Sequence, residues 1–391
     1  MDGFAWVVAA ATVLWGCLLI VPWQSWRTRE VLAPDDSALI AHEDLTVLIP
    51  ARNEAELIGG TLEALASQAP GLKVIVVDDN SEDETASVAG QVDHVQLTVI
   101  PGRPLPEGWS GKLWALEQGL REVRTDKVLL LDADIRLVPG MLHALLDKRA
   151  RENLDFVSIM ARLRTAGFWE KFLLPAFIYF FKQLYPFALA NSGSRRFSAA
   201  AGGCILARTE VLRACGAFAS LKDALIDDCT LAKQVKRRGY RTWIGLSHGV
   251  LSRRVCENPV VIWEMVARTA FTQLHYSLLL LLLCTVMMGG MFWAPAAALI
   301  VPETRWLGAL AWGMMAFSYQ PILRFYRLSP IWGLALPVIG TFYLAMTWDS
   351  AWRYWRGVRS CWKGRVYASD DRQTSQTSGR GAVERARQNT L

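Results

Sequence analysis

The sequence predicts an α/β fold: a mostly parallel sheet with helices on both faces, carried between membrane helices at its N-terminal and C-terminal ends. Three observations predict it. Short apolar runs of strand length alternate with helical stretches between about residues 42 and 273, at the spacing of βαβ units. Four chemistry-bearing segments punctuate that stretch in order: VLIPARNE (Val47–Glu54), VDDNSEDET (Val77–Thr85), LLLDADI (Leu129–Ile135) and IDDCTL (Ile226–Leu231). Carboxylates follow an apolar run or a turn in three of them, which is where a parallel sheet displays side chains at the carboxyl ends of its strands. Finally, long apolar stretches flank the region on both sides.

Element by element, LTVLIP reads as the first strand, followed by a helix from about Glu54 to Gln68 and the strand KVIVVDD. Ser81 and Glu84 form an S-x-x-E capping signature for the next helix. The strand HVQLTVI, the loop PGRPLPEGWSG and the helix KLWALEQGLREV then lead to KVLLLDAD, a strand ending in two carboxylates. Asp132 and Asp134 lie two apart, so in extended geometry they point to one side. Such a pair can hold a divalent cation, Mg²⁺ or Mn²⁺, since hard cations prefer oxygen ligands and leave positions for phosphate oxygens. Each acidic pair alone is also ordinary turn chemistry; their convergence on one sheet edge carries the functional reading.

The chain has 391 residues, 52% of them hydrophobic, room for one catalytic domain (42–273) and several membrane segments. Phe4 to Trp23 meets the roughly 20 residues a bilayer core requires. Arg27 and Arg29 follow it while only Asp2 precedes it, which places the N-terminus outside and the following domain in the cytoplasm. MDGFAW lacks the basic start of a cleaved signal peptide, so residues 1–26 read as an uncleaved anchor. Between 274 and 350, Leu278–Trp293, Trp306–Ile322 and Leu328–Trp348 are candidate spans; three full crossings would leave Arg353, Arg356, Arg359, Lys363 and Arg365 outside. One of the three is therefore expected to be re-entrant or interfacial. Residues 351–391 read as a basic interfacial stretch with Trp348, Trp352, Trp355 and Trp362 forming a belt, passing into a disordered tail from about Ala368. FWEKFLLPAFIYFFKQLYPFALA (Phe168–Ala190) is expected to lie along the membrane surface, since a crossing there would part the D-x-D from Asp228.

The seven cysteines show no CxxC pair and no zinc spacing, and read as reduced packing residues. The net charge of +6 flanks apolar spans without any nucleic-acid recognition motif, so anionic headgroups are the expected counter-surface and nucleic acid is not.

On these motifs the chain resembles the family 2 glycosyltransferases over about residues 42–275, and over nearly its whole length their membrane-bound hopene-associated subgroup. The resemblance implies a GT-A type nucleotide-sugar-binding domain. It implies that Pro50, Arg52 and Glu54, with Asp79, Lys112 and Asp132, hold the nucleotide, that Asp134 with Asp132 binds the metal, and that Asp228 is the general base with Asp227 beside it. A base must lie within hydrogen-bond reach of the attacking hydroxyl, and like charges on Asp227 and Asp223 would raise its pKa. Asp228 at a helix start is otherwise simple helix capping. In AAGGCILARTEVL, Gly202 and Gly203 would admit backbone on the acceptor side. The Q-x-x-R-W motif of processive relatives is absent, VARTAFTQL standing in its place, where Arg268 would contact diphosphate. The implied function is inverting transfer of a hexosyl or pentosyl group from a nucleotide-sugar to a lipid, a hopanoid by resemblance, at the inner membrane's cytoplasmic face. Transfer to a polyprenyl phosphate, and an inert membrane scaffold, are the competing readings.

Overall fold

The computed structural model describes residues 3–35, 44–93, 95–222, 224, 226–362 and 365–368. In chain order an apolar helix α1 (Gly3–Ile20) leads to β1 (Leu45–Ala51), α2 (Ala55–Ala66), β2 (Leu72–Asp78), α3 (Thr85–Gly90), β3 (Val95–Pro101), α4 (Gly111–Glu122), β4 (Lys127–Leu131), β5 (Ile135–Leu137), α5 (Met141–Arg151) and β6 (Phe156–Arg162). Next come α6 (Phe168–Leu184), α7 (Phe187–Ala190), β7 (Cys204–Arg208), α8 (Thr209–Ala214), α9 (Asp227–Arg237), β8 (Thr242–Ser252), α10 (Pro259–Ala267) and α11 (Ala270–Gln273). The chain ends in α12 (Leu278–Met288), α13 (Ala294–Ala298), α14 (Arg305–Phe325), α15 (Leu336–Trp355) and a hairpin of β9 (Val358–Trp362) and β10 (Arg365–Ala368).

Eight strands form one sheet in the order β3-β2-β1-β4-β7-β6-β8-β5. The pairs β1–β2, β2–β3, β1–β4 and β6–β8 are parallel, while β7 and β5 run against their neighbours. The mostly parallel sheet expected from the sequence is thus present, with antiparallel insertions. Every residue of β1 is buried, as a central strand covered on both faces must be. On one face Val47, Ile49, Leu62, Leu65 and Leu145 form a core; on the other, Leu48, Val77, Leu113, Leu116 and Val235 do. Gly119 of α4 lets that helix sit on the sheet, because a Cβ there would lie 2.2 Å from Leu48 Cδ1.

Local chemistry corrects two sequence expectations. Ser81 does not cap a helix: its hydroxyl donates to Asp78 Oδ1 and accepts from Asn53 N at 3.0 Å. The carboxylate of Asp83 takes that place, accepting from Thr85 N and Ala55 N, both at 3.1 Å, at the starts of α3 and α2. Asp132 and Asp134 are likewise not on an extended strand. β4 stops at Leu131, and Ile135 N returns to Asp132 O at 3.0 Å, so the two carboxylates lie in a tight turn.

A third core joins α6 to the apolar helices through Phe172, Tyr179, Tyr319 and Tyr343. Tyr343 donates its hydroxyl to Leu173 O at 2.9 Å, and Tyr179 shares a 2.7 Å bond with Ser318. Three helical stretches are long and apolar enough to cross a membrane: Gly3–Ile20, Leu278–Ala298 and Pro330–Trp355. The expected Trp306–Ile322 span lies in α14, which is not among them; Ser318, Tyr319, Gln320 and Pro321 dilute its apolar content. Phe168–Ala190 forms α6 and α7, also outside that set. Before α15, Pro330–Ala335 folds back along α14, where Trp312 Nε1 donates to Leu334 O at 3.3 Å. The far end of α15 reaches α10 and α11: Trp263 Nε1 donates to Asp349 at 2.7 Å and Phe271 N to Ser350 Oγ at 3.0 Å. At the start of the expected 351–391 stretch the chain continues α15 to Trp355 and pairs as β9–β10; residues 369–391 lie outside the described residues.

After α1 the chain passes along the sheet, with Leu32 N donating to Leu246 O at 2.9 Å and Leu246 N to Glu30 O at 2.8 Å. The buried Lys182 ammonium meets Glu30 at 2.9 Å. Among the described residues Cys17, Cys204, Cys215, Cys229, Cys256 and Cys284 are free thiols, as expected.

Candidate active site

The carboxyl ends of β1, β2 and β4 open onto a cleft, and each loop there is fixed by its own polar groups. Asn53 and Asn80 take left-handed backbone conformations, φ +50° and +52°, which asparagine tolerates better than most residues. The buried Arg52 guanidinium donates to the carbonyls of Asp79 (2.7 Å) and Asn80 (2.8 Å) and to Glu82 (3.0 Å). It fastens the β1 loop to the β2 loop. Asp79 is fully buried, and its N–H donates to Ala51 O at 2.8 Å, which sets it in the wall of the cleft. Pro50, at the end of β1, lines the cavity beneath. Glu54 donates its N–H to Thr85 Oγ1 at 2.8 Å and presents Oε1 3.6 Å from Arg254 Nη2.

Lys112, one residue into α4, places its ammonium 2.5 Å from Asp132 Oδ1. Burial works against that charge, yet Asp132, Asp227 and Asp228 outweigh it and hold the lysine pKa above its ordinary value. Burial raises the Asp132 carboxyl above the usual range, the lysine opposing and Asp134 adding to the rise. Asp132 N donates to Gly203 O at 3.0 Å, bringing the Gly202–Gly203 backbone against the same turn. Gly202 N donates to Asp228 Oδ2 at 2.8 Å, and a Cβ on Gly202 would lie 3.4 Å from Asp228 Cβ and 3.6 Å from Lys112 Nζ. Asp228 Oδ1 also accepts from Cys229 N at 2.7 Å, and Asp227 Oδ1 accepts from Asp228 N at 3.0 Å.

Burial first, and Asp227 second, push the Asp228 carboxyl up to about 6. The sequence attributed the rise to like charges alone; desolvation leads. Asp223 lies outside the described residues. Lys112, Asp132, Gly202, Asp227 and Asp228 line one cavity at the meeting of α4, the β4 turn and α9. Arg268 is exposed at the end of α10 and makes no ion pair or side-chain hydrogen bond among the described residues.

Ser252, Arg254 and Glu170 were missed in the sequence. Asp134 Oδ2 accepts from Ser252 Oγ at 2.8 Å and lies 3.6 Å from Arg254 Nε, both on the chain leaving β8. Glu170, fully buried in α6, accepts from Ala166 N (2.7 Å), Gly167 N (3.0 Å), Cys256 N (3.0 Å) and Arg164 (2.8 Å), tying that same chain to α6. Glu170 could have been found as the third helical residue of a capping box; Arg254 could not, because its partners are distant in sequence.

Residues 46–216 match the model of the family described as Glycosyl transferase family 2. That stretch is similar to family 2 glycosyltransferase domains. The chain is 32% identical over 134 residues to the 4,4'-diaponeurosporenoate glycosyltransferase of Staphylococcus aureus strain MRSA252, covering 34% of this chain and 35% of that one. It is 38% identical over 95 residues to the protein of the same name from strain bovine RF122 / ET3-1, covering 24% of each. It thus spans about a quarter to a third of the length of the curated relatives it matches. Among solved structures, the mannosyltransferase PcManGT from Pyrobaculum calidifontis in complex with GDP-Man and Mn²⁺ covers 89% of this chain and 99% of its own, with a TM-score of 0.55 at 20% identity. That likeness shows a GT-A type fold.

Proposed function

We propose that the protein is an inverting glycosyltransferase that moves a sugar from a nucleotide-sugar to a hydroxyl of a lipid at the membrane surface. The observation that carries this reading is the convergence of Lys112, Asp132 and Asp228 on one cavity, which sets a cation and a carboxylate of raised pKa side by side around Gly202. The family 2 domain and its nucleotide-sugar-bound structural neighbour support the donor class.

In this mechanism the acceptor hydroxyl attacks the anomeric carbon as its proton passes to Asp228. The new glycosidic C–O bond forms as the bond to the diphosphate oxygen breaks, and the electron pair leaves with the nucleoside diphosphate. A carboxylate whose pKa lies near neutrality is suited to this transfer, and the Gly202 N–H holds it in place. Lys112 faces the leaving diphosphate and stabilises its charge. Asp132 and Asp134 are hard oxygen donors on one turn and fit a Mg²⁺ or Mn²⁺ ion completed by phosphate oxygens; when bound, such an ion acts as a Lewis acid on the departing diphosphate. Arg268, Glu54 and Asp79 are read as donor-side groups.

The acceptor as a lipid is supported by the Staphylococcus relatives named for 4,4'-diaponeurosporenoate and by α6, which joins the catalytic domain to the apolar helices. A hopanoid is the class we favour from the whole-chain resemblance. We read Pro330–Trp355 as a re-entrant hairpin, because it folds back along α14 and then returns to α10. That path leaves Arg353 and Arg356 on the side of the catalytic domain, in keeping with cytoplasmic placement at an inner membrane. Isotope-labelled nucleotide-sugars incubated with the purified chain and a hopanoid-containing lipid extract test the reading; label in a lipid product supports it, and none with any sugar nucleotide overturns it.

A further inference from the structure

Among the described residues no three His, Cys, Asp or Glu side chains converge as a ready metal cage. The cleft offers Asp132 and Asp134, and each already faces a cation of the chain itself: Lys112 at 2.5 Å and Arg254 at 3.6 Å. Arg254 also reaches Glu54 at 3.6 Å, so one guanidinium spans the metal-side and nucleotide-side carboxylates.

The surrounding backbone is fixed while this side chain is not. Arg253 N donates to Asp134 O at 2.9 Å and Cys256 N donates to Glu170 at 3.0 Å, pinning the segment on either side of Arg254. Its side chain is 49% exposed, and both 3.6 Å contacts exceed hydrogen-bond length, so it can leave without breaking one. Arginine stays charged throughout the working pH range and binds phosphate oxygens with a two-pronged geometry that carboxylates so spaced do not satisfy.

The geometry points to Arg254 as a resident counter-cation of Asp134, which opposes divalent metal binding until a donor diphosphate draws the guanidinium off the carboxylate. Metal and nucleotide then bind as a coupled pair. A divalent ion alone must displace Arg254 and find its remaining ligands in water. A nucleoside diphosphate supplies both a new partner for the arginine and oxygen ligands for the metal. By linkage, the factor by which nucleotide tightens metal binding equals that by which metal tightens nucleotide binding. This rests on the metal-assisted reading above.

The test is Mn²⁺ binding, read from the free-ion paramagnetic signal, on the full chain in detergent with and without UDP, GDP, ADP, CDP or TDP. Wild type should bind Mn²⁺ at least about 10-fold more tightly with its nucleotide than without. Arg254→Gln should tighten nucleotide-free Mn²⁺ binding by about 10-fold and shrink the coupling, whereas Arg254→Lys, which keeps the charge, should stay near wild type. Arg254→Met carries the same expectation should the glutamine variant fail to fold. Unchanged nucleotide-free affinity in Arg254→Gln overturns the counter-cation role alone; a wild type whose Mn²⁺ affinity no nucleotide improves overturns that role and the metal-assisted reading together.

Discussion

The backbone N–H of Gly202 donates to the Asp228 carboxylate at 2.8 Å, joining the segment before β7 to the first turn of α9. The bond fixes one oxygen of a carboxyl that burial has raised to about 6. As the base must be deprotonated, transfer should rise with pH through about 6 and level off above it. A rate independent of pH between 5 and 8 would count against Asp228. The same shift has a sign for stability: the folded state holds this proton more tightly than the unfolded chain, so ionising Asp228 costs stability as pH rises from 3.8 through about 6. Thermal melts of Asp228→Asn at pH 7 should therefore lie above wild type.

Asp134→Asn should abolish turnover and leave the protein folded, since its carbonyl keeps the bond from Arg253 N and an amide oxygen still accepts from Ser252. Melting curves and transfer assays on the same preparation check both halves. Full activity in the variant, or in wild type under excess chelator, would remove the metal from the account.

Glu170→Ala leaves the buried Cys256 N–H and the less buried Ala166 and Gly167 N–H groups without their acceptor, while Arg164 keeps Glu257, and should cost about 1–3 kcal/mol. Burial opposes the Glu170 charge, but those donors outweigh it and hold its pKa below 4.5. Its stabilisation is present above 4.5 and lost as pH falls through the lower folded value. Acid melts should show wild type losing more stability across that window than Glu170→Gln.

Much of the fold was legible because its signals are local. Each strand of the first half is a short apolar run, and the D-x-D and DD pairs announce themselves at strand ends. What escaped depends on contacts far along the chain. Ser81 loses its capping role because Asn53 and Asp78 compete for its hydroxyl; β4 ends early for a local reason, the turn in which Ile135 N returns to Asp132 O. Arg52 stands in a motif read as nucleotide-binding, and its Nη1 group also fastens the β2 loop, a contact 27 residues away that the motif does not reveal. Arg254 and Ser252 meet Asp134 from 118 residues away or more, a distance no spacing rule covers.

The proposed cytoplasmic placement of the domain rests on Arg27 and Arg29. A cysteine at the exposed Glu122, in a background lacking Cys17 and Cys284, should resist an impermeant thiol reagent in intact cells and react after permeabilisation. Labelling before permeabilisation would reverse the orientation.

The central claim is that Asp228 takes the acceptor's proton while other groups hold the donor. Asp228→Asn keeps the side-chain volume and removes the proton acceptor. Calorimetric titration of nucleotide, set beside label transfer from nucleotide-sugar to a lipid extract, should show donor affinity nearly unchanged and transfer reduced by about 10² to 10⁴-fold. Transfer at the wild-type rate by that variant, with nucleotide bound normally, would contradict the account.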